Sequence, residues 1–176
     1  MSEPTAPPLP CPSIRRRLVA MVYESFLLAA VEMLAVALWL ALTRNHHEPV
    51  YQYGLKVFLF LVTGAYFVHA WSGSGHTLAM KTWRMRLLTD GGARVPLRTA
   101  VLRYLLAWGW FLPALAVCAL FGVTGKAQVG VAVGVGIVTW GATALFDPQR
   151  RFLHDRLAGT RLVSLVGRPA VQAVAS

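Results

Sequence analysis

The sequence has 176 residues, of which 56% are hydrophobic and only 14% are charged. A soluble domain carries about 25% charged residues, so this composition excludes a typical soluble enzyme and favours a multi-pass membrane protein with one domain. Seventeen Lys and Arg against seven Asp and Glu give a formal charge of +10. Because the basic residues flank apolar runs, we expect anionic lipid headgroups rather than nucleic acid as their partners.

The ends of the chain differ in composition from its middle. Residues 1–14 contain five of the ten prolines, which predicts a disordered tail. Residues 15–166 are expected to form the membrane domain, and residues 167–176 a second, flexible tail.

The first apolar run, residues 18–42, follows three arginines and contains two acids, Glu24 and Glu32. Its twenty-five residues would cover roughly 37 Å as a helix, enough to cross a hydrocarbon core of about 30 Å. A carboxylate near the centre of such a helix costs about 3 kcal/mol or more unless it is protonated, paired or wetted. Glu24 follows Arg17 by two helical turns, so both lie on nearly one face.

Three further apolar runs predict three further membrane spans, at residues 53–71, 101–123 and 129–146. Pro113 is expected to kink the third span. Gly130 and Gly134 in the fourth have the spacing of small residues that permits close helix packing.

The segments between and after these spans predict small elements at the membrane surface. Residues 76–85 fit a short interfacial helix, and residues 90–92 are a turn signal that predicts a hairpin between residues 84–89 and 93–96. Residues 146–157 resemble another short helix, followed by an extended segment from residue 160 to residue 166. The predicted fold is therefore an all-α membrane protein with four transmembrane helices, short cytoplasmic interfacial helices and a small hairpin.

The distribution of Lys and Arg predicts the orientation. Fourteen lie before the first span, between the second and third, or after the fourth, whereas only Arg44, Lys56 and Lys126 lie on the opposite side. We therefore expect a bacterial inner-membrane protein with both termini in the cytoplasm.

Residues 78–88 align without gaps on residues 153–163, at an offset of 75. Both segments have Leu, a basic residue three positions later, another five positions after that, and then two aliphatic residues. Each follows a pair of spans, so one hypothesis is a parallel repeat about an axis along the membrane normal. Chance, or similar interfacial chemistry, is the alternative.

Three blocks of the sequence resemble the RDD family of small bacterial membrane proteins, named for an arginine and two aspartates. They are Arg16-Arg17-Leu18 through Tyr23-Glu24, Gly75-His76-Thr77 through Asp90-Gly91, and Leu153-His154-Asp155-Arg156-Leu157-Ala158-Gly159-Thr160. The last block is the most specific. Glu24 stands where the family has its first aspartate, His76 replaces a glutamine, and Ala79 replaces a glycine.

The resemblance implies roles for particular residues. Arg17, Glu24 and Asp155 would be the arginine and the two acids of the family motif. The remaining motif residues would lie on the cytoplasmic side: Gly75, Thr77, Lys81, Arg86, His154, Arg156 and Gly159. The family has been associated with transport of unknown ligands, including cation/proton exchange, and more distant relatives serve in membrane protein complexes.

Two functional hypotheses remain open. The chain contains no nucleophile elbow, phosphate loop or zinc-ligand spacing, so we expect no enzyme, cofactor or metal site. As a transporter, it would use Glu24 and Glu32 as an ion or proton pathway, with oligomerisation to complete the path. As a scaffold for other membrane proteins, it would use Arg17, Glu24 and Asp155 as a fixing network.

Overall fold

A computed structural model of the protein describes residues 10–44, 48–147 and 151–166. The helices are α1 (Ile14–Leu42), α2 (Pro49–Ser72), α3 (Leu78–Thr82), α4 (Leu97–Ala107), α5 (Leu112–Leu120), α6 (Lys126–Ala142) and α7 (Leu153–Leu157). The strands are β1 (Met85–Thr89) and β2 (Thr160–Ser164). Two short 3-10 turns follow α4 and α6, at Trp108–Trp110 and Thr143–Leu145.

The long helices agree with the predicted membrane spans. Three are long and apolar enough to cross a membrane: α1, α2, and α6 with its following turn. The third predicted span corresponds to two helices, α4 and α5, which meet at a bend of 48°, so the count is three, or up to four if this bent pair forms one span. Pro113 lies in the first turn of α5, where the missing N–H and the fixed ring interrupt the helical hydrogen bonds. The predicted kink is therefore confirmed.

The small elements gather at one end of the bundle, which we call the sheet end and define by α3, α7, β1 and β2. The two strands pair antiparallel, with Leu87 opposite Leu162 at the centre. The hairpin predicted between residues 84–89 and 93–96 is therefore wrong. The turn itself forms, since the N–H of Gly92 donates to the carbonyl of Thr89 at 2.8 Å. Beyond it, however, the chain leads through Pro96 into α4, and the partner of β1 comes from the C-terminal part of the chain.

The sheet end repeats itself at the predicted offset of 75 residues. Adding 75 to the bounds of α3 and β1 gives the bounds of α7 and β2. The central pair of the sheet, Leu87 and Leu162, joins equivalent positions, which is the register that a two-fold axis through the sheet would give. In addition, α3 packs against α1 as α7 packs against α4. The repeat hypothesis is supported by these elements.

The first described residues belong to the folded part of the chain. The carbonyl of Pro10 accepts a hydrogen bond from the N–H of Ser164 at 2.8 Å, and Pro12 is buried. The predicted tail at residues 1–14 is therefore wrong for its last residues. Residues 1–9 and the predicted tail at 167–176 lie outside the described part of the chain.

Helix α6 does not pack closely against another helix at Gly130 and Gly134, where the sequence predicts such packing. A Cβ placed at Gly130 or Gly134 would meet nothing within 4 Å, whereas one at Gly136 would lie 3.0 Å from the Cβ of Ala114. The close approach between α5 and α6 therefore occurs further along α6, and Gly130 and Gly134 face outward among the described residues.

Candidate functional site

A cavity of about 670 Å³ lies between α1, α2 and α4 and extends to the sheet end. Its lining is mainly aromatic and aliphatic, with a few ionisable side chains set among the apolar ones. These ionisable side chains are Arg17, Glu24, Glu32, Lys56, Tyr104, Arg103 and His154. A concave apolar volume with a few polar groups is the usual form of a small-molecule site.

Glu24 is buried on the inner face of α1 and is held by two hydroxyl groups. Its carboxylate accepts hydrogen bonds from the hydroxyl of Tyr66 on α2 and from Oγ1 of Thr77. Thr77 also accepts a hydrogen bond from the N–H of Met80 at 3.3 Å, as the N-cap of α3. The first membrane helix is thereby linked through Glu24 to the sheet end.

Glu32 lies eight residues beyond Glu24, about 12 Å further along the helix. It is half-buried and accepts a hydrogen bond from Oγ1 of the buried Thr63 at 3.0 Å. Its carboxylate therefore faces α2 and the interior of the bundle. Within the described ranges, neither Glu24 nor Glu32 belongs to a salt bridge.

Asp155 is completely buried and forms its ion pair with Arg103 of α4. The carboxylate atom Oδ1 lies 2.8 Å from Nε and 2.6 Å from Nη2 of Arg103. Burial by itself would raise the pKa of Asp155, but the charge of Arg103, with a smaller contribution from Arg17, holds that pKa below its ordinary value. The ion pair of Asp155 is therefore with Arg103, and the charge of Arg17 acts on the same carboxylate.

His154 joins this ion pair to the aromatic residues of the second half of the chain. Its Nε2 lies 3.5 Å from Oδ1 of Asp155, and its Nδ1 accepts a hydrogen bond from Nε1 of Trp140 at 3.4 Å. The ring stacks on Phe152, with centroids 5.8 Å apart. Burial lowers the pKa of His154 to about 4, so the imidazole is neutral near pH 7.

The other predicted motif residues lie at the sheet end and do not line the cavity. Gly75 has a φ of +76° and a carbonyl that accepts from the N–H of Leu87 at 2.7 Å. A Cβ at Gly75 would lie 3.0 Å from the carbonyl oxygen of Leu87, so both backbone conformation and space require glycine there.

The last members of the motif are two exposed bases, a strand residue and a second glycine. Lys81 and Arg156 are exposed on α3 and α7, at equivalent positions of the repeat. Arg86 lies on β1 opposite Val163. Gly159 has a φ of +62°, and its carbonyl accepts from the N–H of Asp90.

Sequence reasoning missed Arg103 and Tyr66 as partners of the motif acids. In the sequence, Arg103 is one of the fourteen basic residues that predict the orientation, although it lies within the third predicted span. A base inside an apolar run requires a partner, and this signal could have directed attention to Arg103. Tyr66 offers no such signal, because a tyrosine in a membrane helix is common near interfaces.

Among the described residues, no group of three or more His, Cys, Asp or Glu could hold a metal ion.

Three comparisons with known proteins complete the description of the site. A search of curated proteins found no match, and neither did a search of solved structures. The profile of the RDD family matches residues 11–159, a range that contains Arg17, Glu24 and Asp155. The chain therefore belongs to the RDD family.

Proposed function

We propose that the protein is a membrane transporter that exchanges a cation for protons at Glu24 and Glu32. One observation carries this proposal: both intramembrane carboxylates face the same cavity, and both are held by hydroxyl groups rather than by cations of the described chain. A cation and a proton would then compete for the same carboxylate oxygens, which is the physical basis of exchange.

The hydroxyl partners suit this competition. The O–H groups of Tyr66 and Thr77 donate to Glu24, and such bonds satisfy its oxygens without neutralising its charge. A salt bridge would instead supply a permanent counter-charge. The charged lining residues Arg17 and Arg103 lie towards the sheet end. There the carboxylate of Asp155 lies 2.6 Å from Nη2 of Arg103 and balances the charge of this arginine.

The test is proton flux in proteoliposomes that contain the purified protein. A gradient of one cation at a time, from a panel of inorganic and organic ions, is imposed across the membrane, and a trapped pH-sensitive dye reports proton movement. We expect one class of cation to drive proton flux in the wild type and Glu32→Gln to abolish it, because a neutral amide neither releases a proton nor binds a cation electrostatically.

Glu48→Gln is the matched control, since Glu48 is an exposed acid at the N-cap of α2 and does not line the cavity. It should leave flux unchanged in the same preparation. Wild-type flux through Glu32→Gln would remove that residue from the mechanism. The absence of proton movement with every cation would contradict exchange and favour a scaffold for other membrane proteins.

We also propose the inner membrane as the location, with the sheet end and both termini in the cytoplasm. The support is the distribution of charge, because fourteen of the seventeen Lys and Arg belong to that side and basic residues are retained there. Anionic headgroups would contact the exposed Lys81 and Arg156. Reporter fusions after His47 and after Ala173 should give opposite signals, and equal signals would contradict this topology.

A further inference from the structure

The two carboxylates of the cavity are too far apart to bind one small ion together. Glu24 and Glu32 are separated by about 12 Å along α1, whereas a metal cation is bound by oxygens at about 2.0–2.6 Å. The part of the chain that the structure describes offers no cluster of three acidic, His or Cys side chains that could enclose such an ion. A cavity of about 670 Å³ is also far larger than a bare cation, and lies within the range of about 300–1,000 Å³ for small-molecule sites.

Aromatic rings form the wall that faces the carboxylates from α2 and α4. The ring of Phe60 lies 5.2 Å from that of Tyr104 and 5.4 Å from that of Trp108, and all three line the cavity. Glu32 lines the same cavity, and its hydrogen-bond partner Thr63 lies three residues beyond Phe60 on α2, which places the carboxylate and these rings in one environment. Aromatic faces attract organic cations, and a nearby carboxylate adds to that attraction.

The cavity is open on one side, between α1 and the second half of the chain. Helix α2 packs against α4, but the equivalent pair in the repeat, α6 with α1, is not among the main contacts of the described elements. Met21 and Ser25 of α1 line the cavity and are exposed, as is Phe111 where α4 bends into α5. Because these residues lie within apolar spans, the opening faces the region that lipid would occupy.

We infer that the exchanged cation is a hydrophobic organic cation, such as a quaternary ammonium or phosphonium ion, that enters from the bilayer between α1 and α6. This inference rests on the proposed function and specifies its substrate class. The carboxylates supply the charge complement, and the aromatic wall supplies contact for the apolar groups. Lys56, the cation of α2 in the lining, lies with its Nζ 5.0 Å from the ring centroid of Tyr53.

The test measures binding directly, without transport. Tetraphenylphosphonium and tetraphenylborate have similar size and shape but opposite charge, and each is titrated against purified protein in nanodiscs by equilibrium dialysis. We expect saturable binding of tetraphenylphosphonium only, weakened at least tenfold by Glu32→Gln. Equal binding of both probes, or phosphonium binding that Glu24→Gln and Glu32→Gln both leave unchanged, would overturn the inference.

Two α1 variants test the opening. Ser25→Trp places a large side chain at the mouth and should slow phosphonium association several-fold in rapid-mixing measurements, whereas the neighbouring Phe26, 74% exposed and absent from the lining, provides the control Phe26→Trp, which should associate as fast as the wild type. Equal association rates for both variants would contradict entry at this side. Efficient cross-linking of Ser25→Cys between two copies, in a background without Cys11 and Cys118, would mean that a second copy fills the opening, and would also overturn the inference.

Binding and flux together separate this inference from the proposed function. Proton flux driven by sodium or potassium without phosphonium binding would retain exchange and overturn the organic substrate. Phosphonium binding that depends on Glu32, without proton flux for any cation, would retain the organic ligand and overturn exchange.

Discussion

Two regions of the molecule differ in the groups that they bury. In the first region, formed by α1, α2 and α4, the buried polar side chains include Arg17, Glu24, Thr63 and Arg103. In the second region, α5 buries only Cys118 of its own residues, and α6 buries none. A buried polar group needs a partner in a fixed position, so the polar contacts determine where α1, α2 and α4 lie relative to one another. Among the described residues, α5 and α6 are held mainly by ring and glycine contacts, together with the hydrogen bond from Trp140 to His154.

The repeat makes this difference informative. A duplicated unit would be expected to use both halves in the same way, yet the position equivalent to the buried Thr77 is Phe152, and that equivalent to Asp155 is Met80. The first half provides the hydroxyl that holds Glu24, and the second provides the carboxylate that holds Arg103. The two repeat units have similar elements, but they contribute different polar groups around one cavity.

The largest expected effect is on the buried ion pair that connects α4 to α7. Asp155→Asn leaves Arg103 charged and buried without its counter-charge, and should lower the free energy of unfolding by about 3–5 kcal/mol. Thermal unfolding of the purified protein in detergent measures this loss. Arg103→Met combined with Asp155→Leu should cost less than the sum of the single substitutions, because no charge is stranded.

Asp90→Asn is the matched control for that prediction. Asp90 is an exposed acid that pairs with Arg151 at 3.0 Å, and such exposed pairs contribute about 0–1 kcal/mol. Similar losses for Asp90→Asn and Asp155→Asn would show that burial does not distinguish the two pairs, and would remove the difference between the region held by buried polar contacts and the region of α5 and α6.

The sequence predicted the elements of this fold better than their partners. Apolar runs gave the spans, and the echo of residues 78–88 in residues 153–163 corresponds to α3–β1 and α7–β2. The hairpin was wrong because a turn signal such as Asp90-Gly91-Gly92 reports only local geometry. Pairing between Leu87 and Leu162 depends on contacts 75 residues apart, which no local pattern encodes.

The same limit applies to the site. Glu24 and Glu32 could be identified because an acid in an apolar run is costly wherever its partner lies. The partner itself could not be chosen: Arg17 is two turns from Glu24 in sequence, but the groups that donate to Glu24 are hydroxyls on α2 and at the start of α3. Sequence therefore identified which side chains need a partner, and only the tertiary fold specified which residues provide it.

His154 connects the two regions, because it contacts the buried carboxylate of Asp155 on one side and the aromatic residues Trp140 and Phe152 on the other. Its pKa of about 4 lies below the ordinary 6.5, so the unfolded chain binds a proton before the folded protein does. The resulting stability is fully present above pH 6.5 and is lost as the pH falls towards 4, by on the order of 3 kcal/mol. Thermal unfolding between pH 7 and pH 4.5 should show this fall, and His154→Phe should flatten it.

Phe152→Leu provides the packing control, since Phe152 stacks on His154 but does not titrate. This variant should be less stable at every pH while keeping the wild-type dependence on pH. If His154→Phe retained that dependence in full, the titrating group would be a different one, and His154 would not be the acid-sensitive group of the fold.

The smallest effect concerns the glycines that distinguish the packed side of α5 and α6 from their open side. A Cβ at Gly109 would overlap the ring of Trp140, whereas one at Gly130 would meet nothing within 4 Å. Gly109→Ala should therefore destabilise the protein by about 1–3 kcal/mol through overpacking. It would also disturb the bond from Trp140 to His154. Gly130→Ala should be neutral or slightly stabilising, because alanine favours the helix by up to about 1 kcal/mol. Thermal unfolding of both variants in detergent decides between these outcomes. Destabilisation by Gly130→Ala as large as that by Gly109→Ala would mean that another copy or another protein covers the outward face of α6, so that the region of α5 and α6 would be as constrained as that of α1, α2 and α4.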